Sequence, residues 1–208
     1  MRVGIDFDNT IICYDGVFLE QARQRGLVPA DFTGAKRAVR DAVRLLPGGE
    51  ASWQRLQGYA YGRGIDGAHC FAGLDAFLAR ARAAGARIVV VSHKTEYGHH
   101  DPAGVNLRDA ARRWMHAQGL FAGPGHGLSK SDVHFADTRA EKLAKIRETG
   151  CALFIDDLEE VLGDPAFPAE VRRILFSSDG REGNGLPYPV LPSWAAIEEH
   201  IFGTRVRT

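Results

Sequence analysis

Two carboxylates follow directly on the apolar segment that opens the chain, and they restrict what this segment can become. Val3, Ile5 and Phe7 favour a β-strand, and the run is short enough for a strand buried in a sheet. Side chains alternate along a strand, so Asp6 and Asp8 point to one side while Phe7 points to the other. Two like charges this close are costly unless a cation neutralises them or they take different protonation states. The segment therefore predicts a buried strand that ends in a charged site.

The residues after the second carboxylate favour an anion beside such a cation. Thr10 and the turn that follows it can present backbone N–H groups to an anion. Carboxylate oxygens are the ligands that hard cations prefer. The run from Asp6 to Thr10 therefore indicates a hard cation beside an anionic substrate. Taken alone, this stretch also fits an acidic strand end without a role.

The composition argues against several classes of partner. Lys plus Arg and Asp plus Glu each number 26 among 208 residues, so the net charge favours neither nucleic acid nor a membrane surface. No basic apolar segment opens the chain, and no apolar run is long enough to span a bilayer. Cys13, Cys70 and Cys151 are few and widely spaced, which favours reduced thiols over a disulfide framework or a zinc knuckle. We expect a cytoplasmic protein, monomeric or homodimeric, without nucleic-acid or membrane partners.

An alternation of helices and apolar strands predicts the fold class. The predicted elements are, for helices, residues 74–84, 106–118 and 139–149 and a segment after Ser193, and, for strands, residues 86–92, 132–136, 151–157 and 171–176. Continuous apolar runs of this kind are typical of strands buried on both faces. The alternation indicates an α/β protein with a doubly wound parallel sheet.

Residues 16–71 interrupt this alternation. Their pattern is mainly helical, and Ala35, Val39 and Val43 lie on one face of a predicted helix. Residues 58–67 are rich in glycine and tyrosine and cannot be regular throughout, and the region contains no strand with convincing alternation. We predict a small helical insertion at 16–71 in a core formed by 1–15 and 72–208.

Five polar side chains close the predicted strands. They are Asp6, Asp8, Ser92, Asp156 and Asp157. In a doubly wound sheet, ligands bind at the carboxyl ends of the strands. These side chains are therefore expected to meet at one edge of the sheet.

The order of these groups resembles the haloacid dehalogenase-like (HAD) superfamily, whose hydrolases are mostly magnesium-dependent phosphatases. The family's four motifs correspond here to Asp6-Phe7-Asp8-Asn9-Thr10, Ser92, Lys142 and Asp156-Asp157. The resemblance covers residues 1–15 and 72–176 and identifies nothing in the insertion. It implies a HAD-like Rossmannoid core, with the insertion as a cap, and a phosphatase that acts on a small phosphorylated metabolite.

The resemblance also implies a role for each motif residue. Asp6 attacks phosphorus and forms an aspartyl-phosphate. Asp8 protonates the leaving alcohol and later accepts a proton from the attacking water. Ser92 and Lys142 bind the phosphoryl oxygens, beside the turn at Thr10.

By the same resemblance, the cofactor is Mg²⁺. Its ligands are the Asp6 carboxylate, the Asp8 backbone carbonyl and an acid from the Asp156-Asp157 pair. We favour Asp156 as the direct ligand and Asp157 as a more distant or alternative one.

Lys142 has competitors for its role. Lys145 lies three positions later on the same predicted helix, and Arg139 and Lys94 are also near predicted motifs. Lys142 is preferred because it lies nearer the N-terminal end of its helix, in the family's usual place before the acid pair.

Two segments outside the motifs leave alternatives open. The loop His93–Asp101 contains three histidines and an aspartate that suit a transition metal, and it also fits a substrate-facing loop. In the insertion, Tyr59, Tyr61 and Arg63 could contact the leaving group, or the tyrosines could be packed and the arginine solvated.

Three other functions fit the same fold. A phosphomutase or phosphotransferase differs only in the acceptor that takes the phosphoryl group from Asp6. A catalytically silent phosphate-binding or scaffolding protein would not need the intact acid set. A dehalogenase needs neither magnesium nor a second acid, and Asp8 and Asp156 would be unexplained.

Overall fold

A parallel sheet of six strands forms the core of the protein. The computed structural model describes residues 1–98, 103–121, 128–180 and 185–203. Within these residues the strands are β1 (Arg2–Ile5), β2 (Ile12–Cys13), β3 (His69–Cys70), β4 (Arg87–His93), β5 (Val133–Ala136), β6 (Leu153–Asp156), β7 (Arg172–Phe176) and β8 (Val190–Leu191). The main sheet has the order β5-β4-β1-β6-β7-β8, and all its strand pairs are parallel.

The first strand lies in the middle of this sheet. Ile5 is in register with Val90 of β4 on one side and with Ile155 of β6 on the other. Gly4 allows close packing here, because a Cβ at this position would lie 2.4 Å from the Phe154 ring. Since the neighbouring strands are parallel, the carboxyl ends of β1, β4 and β6 meet at the same edge.

Helices cover both faces of the sheet. They are α1 (Asp15–Gln24), α2 (Lys36–Arg44), α3 (Gly49–Tyr61), α4 (Leu74–Ala83), α5 (Leu107–Ala117), α6 (Arg139–Thr149), α7 (Glu159–Leu162) and α8 (Trp194–Phe202). Val89 and Val91 of β4 belong to one apolar cluster with Leu143 and Ile146 of α6, whereas Val90 belongs to the other cluster. Alternate side chains of one strand therefore bury against different helix layers, which confirms the doubly wound prediction. No helix in the described ranges is both long and apolar enough to cross a membrane.

Two helices begin where the sequence predicted, because their caps are local. The side chain of Asn106 accepts hydrogen bonds from the N–H groups of Arg108 and Asp109 at the start of α5. The hydroxyl of Thr138 accepts from the Glu141 N–H at the start of α6. That helix ends before Gly150, whose φ of 61° is left-handed and suits glycine.

The residues between β2 and β3 form the helices α1, α2 and α3. Phe18 of α1 stacks on Trp53 of α3 with a centroid distance of 4.8 Å, and Val39 and Val43 of α2 are fully buried. β2 pairs antiparallel with β3 at the point where the chain leaves and re-enters the core. The sequence predicted no strand in residues 16–71, and this prediction was wrong at β3. A strand of two residues is too short to show an alternating pattern. The division into core and cap stays a prediction.

Candidate active site

The carboxyl edge of the sheet gathers three of the predicted acids into one cluster. Asp6 follows β1, and its N–H donates to the Ile155 carbonyl at 2.9 Å. Asp156 ends β6 and Asp157 follows it. One carboxylate oxygen from each of the three acids lies within 4.8 Å of the others, and Asp6 and Asp156 are buried. Asp8 contributes no carboxylate to this group within the described residues.

Lys142 joins two of these acids. Its Nζ donates to Asp6 Oδ1 and to Asp156 Oδ2, both at 2.6 Å. The lysine is only 1% exposed, so its charge depends on these partners. Burial opposes that charge, but Asp156 and Asp6 raise the pKa of the ammonium above its usual value. The carboxyl end of β6 is fixed as well, because Asp156 Oδ1 accepts a hydrogen bond from the Leu158 N–H at 3.0 Å.

The electrostatics of the cluster favour a bound cation. Burial raises the pKa of Asp6 to about 7, since the stabilisation by Lys142 is offset by repulsion from Asp156 and Asp8. Burial, followed by repulsion from Asp156 and Asp6, holds the pKa of Asp157 well above its usual range. One lysine therefore does not balance three acids. Carboxylate oxygens alone make up this group, which fits a hard divalent cation such as magnesium.

Two buried hydroxyl groups, one in the segment after β1 and one in β4, have no hydrogen-bond partner in the described part of the chain. They are Thr10 Oγ1 and Ser92 Oγ. Ser92 lies two residues beyond Val90, the register partner of Ile5, and therefore at the same edge as Asp6. A buried hydroxyl without a hydrogen bond is costly. Both hydroxyls are suited to bind a ligand with acceptor oxygens.

Asp8 has a separate environment. Its Oδ1 accepts a hydrogen bond from the Tyr14 hydroxyl at 2.8 Å, and its Oδ2 lies 2.9 Å from Lys94 Nζ. The second contact is an ion pair without good hydrogen-bond alignment. Lys94 is only 3% exposed, and its ammonium lies 4.6 Å from the centre of the Tyr61 ring. Lys94 thus belongs to the site as a partner of Asp8, a role that its position two residues after Ser92 did not reveal.

Lys36 is a third cation near the acids, and the sequence analysis missed it. It is the first residue of α2, and its ammonium lies 5.3 Å from the centre of the Tyr61 ring and 5.4 Å from that of Phe18. Burial opposes its charge, while Tyr61, Asp157 and Asp8 raise the pKa of the ammonium. The insertion therefore places a cation within the electrostatic reach of the core carboxylates.

A cleft of about 870 Å³ borders the cluster at Asp157. Asn9 and Asp157 are in its wall, and so are Lys36, Arg37 and Arg40 of α2. Its wall also contains the cations Arg139 and Arg173, the acids Asp15, Glu159, Glu160, Asp164 and Asp179, and apolar or aromatic residues that include Phe71, Leu158, Phe176 and Tyr188. Volumes of this order are usual for small-molecule sites.

The other candidates from the sequence lie elsewhere. Lys145 is 38% exposed in its side chain and pairs with Glu148, so Lys142 is the lysine in the cluster. Arg139 pairs with Glu160 at 3.0 Å in the wall of the cleft.

The open alternatives in the insertion and the histidine loop are resolved in part. The guanidinium of Arg63 lies 5.2 Å from the centre of the Tyr59 ring, and the arginine is exposed. Neither residue is among those described in the wall of the cleft, whereas Tyr61 contacts Lys36 and Lys94. His93 Nε2 lies 2.9 Å from the Asp137 carbonyl oxygen, and the rest of its predicted metal group, residues 99–101, lies outside the described residues.

Comparison with known proteins identifies the fold. No protein-family model and no curated protein matches the chain. Solved structures match it over most of its length. Protein Tyrosine Kinase A from Mycobacterium tuberculosis is 16% identical, with a TM-score of 0.60 and coverage of 96% of each chain.

Two further structures carry the family's description. A haloacid dehalogenase-like hydrolase from Streptococcus pneumoniae is 12% identical, with a TM-score of 0.59 and coverage of 91% of this chain and 92% of the other. The HAD-hydrolase YfnB from Bacillus subtilis, described as bound to magnesium, is 12% identical, with a TM-score of 0.58 and coverage of 98% of each chain. At these identities the likeness concerns the fold. The chain therefore has the fold of HAD-superfamily hydrolases, as the order of its motifs predicted.

Proposed function

We propose that the protein is a magnesium-dependent phosphomonoesterase that acts on a small phosphorylated metabolite through an aspartyl-phosphate on Asp6. The observation that carries this proposal is the contact of Lys142 with both Asp6 and Asp156 in a buried carboxylate cluster at the carboxyl edge of the sheet. A phosphate monoester is a dianion that repels nucleophiles, so its site needs positive charge and fixed donors around the attacking group.

The attacking group is Asp6. Lys142 contacts only its Oδ1, which leaves Oδ2 for attack on phosphorus. The new bond joins this oxygen to phosphorus, and the bond from phosphorus to the ester oxygen breaks. Water then attacks the same phosphorus, the bond to Asp6 breaks, and inorganic phosphate leaves.

Asp8 handles the protons of both steps. It gives a proton to the departing ester oxygen and takes one from the attacking water. Tyr14 contacts one of its oxygens and Lys94 the other, which fixes the direction of the carboxyl group. A fixed acid–base group supports rapid proton transfer to a leaving group in one position.

The phosphoryl oxygens are bound by Lys142 and by the hydroxyls of Ser92 and Thr10. Those hydroxyls are buried and have no hydrogen-bond partner in the described part of the chain, so they are suited to donate hydrogen bonds to a ligand. Lys142 contributes a charge that persists as phosphorus gains a fifth oxygen.

The cluster suits magnesium as the cofactor. Asp6, the Asp8 backbone carbonyl and one or both of Asp156 and Asp157 would hold it. Bound magnesium would supply positive charge that neutralises the carboxylates and the phosphoryl oxygens. The three free cysteines support a reducing, cytoplasmic location.

A phosphotransferase is the second candidate, because the M. tuberculosis structure with the same fold is described as a tyrosine kinase. Both reactions pass through phosphorylated Asp6, and they differ in the acceptor. A transferase would release little inorganic phosphate until an acceptor alcohol is added.

The test is steady-state release of inorganic phosphate from phenyl phosphate with magnesium and no acceptor. We expect turnover by the native protein and none by Asp6→Asn, which keeps the shape of the side chain but not its nucleophilicity. Circular dichroism of the variant checks that the fold is retained. Equal turnover by a variant free of native protein would contradict the proposal.

A further inference from the structure

The insertion contributes a half-buried cation whose partners are aromatic rings. The backbone N–H of Lys36 donates to Asp15 Oδ1 at 2.8 Å, which fixes the start of α2. Its ammonium lies over the rings of Tyr61 and Phe18. Burial opposes its charge, while the carboxylates of Asp157 and Asp8 already favour it and raise the pKa of the ammonium. A charged ammonium that lies in a cleft wall and is contacted by aromatic rings can also pair with an anion of a ligand.

Two arginines extend this charge along the same helix. Arg37 and Arg40 also line the cleft, and Arg40 lies one turn from Lys36. Arg37 lies 3.6 Å from Asp179, and Arg40 pairs with its neighbour Asp41 on the surface. Exposed ion pairs of this kind are weak, so a ligand can replace them at low cost.

The first turn of α2 strengthens the case for an anion. It carries no acidic residue of its own, and its basic residues oppose the positive end of the helix dipole. Asp15 already offsets part of this repulsion through its hydrogen bond to the Lys36 N–H, and a bound anion would reduce the rest. The cleft itself connects this turn to Asn9 and Asp157 at the candidate active site.

We propose that Lys36, Arg37 and Arg40 bind a second anionic group of the substrate, so that the substrate is a phosphomonoester whose leaving group carries a carboxylate or another phosphate. This inference rests on the proposed phosphatase function. The phosphoryl group being hydrolysed lies at Asp6 and Lys142, and the leaving group extends through the cleft to α2. The second anion pairs with Lys36 and with the two arginines in the cleft wall.

The experiment compares alkyl phosphates that differ only at the far end. Butyl phosphate is compared with two doubly anionic esters of the same chain length, one that ends in a second phosphate and one that ends in a carboxylate. The same three compounds with a longer and with a shorter alkyl chain test the spacing. We expect kcat/KM of the native protein to favour at least one doubly anionic ester by about tenfold or more, as a charged contact would give. The two doubly anionic compounds distinguish a carboxylate from a phosphate.

Variants assign the preference to the helix. Lys36→Met and Arg40→Met should each reduce the ratio of kcat/KM between doubly and singly anionic esters by about tenfold, and Lys36→Arg should restore part of it. Arg63→Met is the matched control, because this arginine is exposed on the same insertion and lies over Tyr59. Thermal unfolding checks each variant, and Arg40→Met decides the question if Lys36→Met does not fold.

Failure of this inference is separable from failure of the phosphatase proposal. If the native protein prefers no doubly anionic ester, or if both α2 variants keep its preference, the inference is overturned. If the native protein hydrolyses none of the esters, calorimetric binding to Asp6→Asn decides instead. If Asp6→Asn binds a doubly anionic ester more tightly than butyl phosphate, and Asp6→Asn/Arg40→Met does not, the inference is supported. If Asp6→Asn binds all the esters equally, the inference is overturned.

Discussion

Lys94 Nζ lies 2.9 Å from Asp8 Oδ2, although the two residues belong to separate segments, Lys94 directly after β4 and Asp8 after β1. The Tyr14 hydroxyl holds the other oxygen of the same carboxylate at 2.8 Å. Lys94 also lies against the Tyr61 ring of the insertion. The group that handles protons in the proposed mechanism is therefore fixed by the core and borders the insertion.

Replacement of Lys94 should affect esters with poor leaving groups most. An alkoxide needs a proton as it leaves, whereas 4-nitrophenolate does not, and proton transfer contributes about a hundredfold or more to rate. In Lys94→Met we expect kcat for butyl phosphate to fall about ten- to a hundredfold, and kcat for 4-nitrophenyl phosphate to fall much less. Lys145→Met is the control, because Lys145 is exposed and pairs with Glu148. Equal losses for the two esters would show that Lys94 does not act through Asp8.

Replacement of Lys142 should slow every ester and destabilise the fold. Its removal leaves Asp6 and Asp156 buried without their shared cation, and breaking a buried pair costs about 3–5 kcal/mol. We expect Lys142→Met to lower the free energy of unfolding by this order in chelator, and magnesium to restore part of it. Urea titrations with and without magnesium measure both effects. A variant as stable as the native protein in chelator would contradict the assigned ion pairs.

Removal of magnesium should abolish turnover, and its return should restore it. A ligand at a hundred times its dissociation constant stabilises the folded state by about 2.7 kcal/mol, so thermal unfolding reports binding independently of activity. We expect this stabilisation to shrink in Asp157→Asn, because the neutral side chain is a poorer ligand. If zinc alone restored turnover, the loop His93–Asp101 would have to be considered as a metal site.

The packing of the central strand gives a prediction about the fold alone. A Cβ at Gly4 would lie 2.4 Å from the Phe154 ring and 3.1 Å from Cys151 Sγ, both of which are buried. We expect Gly4→Ala to destabilise the protein by about 1–3 kcal/mol. Gly16→Ala is the control, because a Cβ there meets nothing within 4 Å in α1 and alanine favours a helix. Gly4→Ala that unfolds at the native urea concentration would contradict the packing of β1 against β6.

Local signals in the sequence were sufficient to predict the parallel sheet and the ends of several helices. The bounds of α6 follow from Thr138 at its start and Gly150 after its end, since each acts within a few residues. Asp6, Ser92 and Asp156 could be placed at one edge because parallel strands share a direction.

Contacts between distant elements could not be predicted in the same way. Lys36 and Lys94 are long side chains, and their sequence neighbours do not show that both ammonium groups meet the Tyr61 ring. The sequence supported only a preference for Lys142 over Lys145. The structure places Lys142 in the acid cluster and Lys145 at the surface. The strand β3 was not predicted because two residues are too few to show the alternating pattern of a strand.

The central claim is that Asp6 becomes phosphorylated, and the most direct measurement is the mass of the peptide that contains it. The native protein is mixed with phenyl phosphate and magnesium, stopped with acid within one turnover, digested and analysed by mass spectrometry. We expect one phosphoryl group on Asp6 that appears before inorganic phosphate and disappears as phosphate is released. Release of phosphate while the Asp6 peptide stays unmodified at every time, or a phosphoryl group on another residue, would contradict the claim.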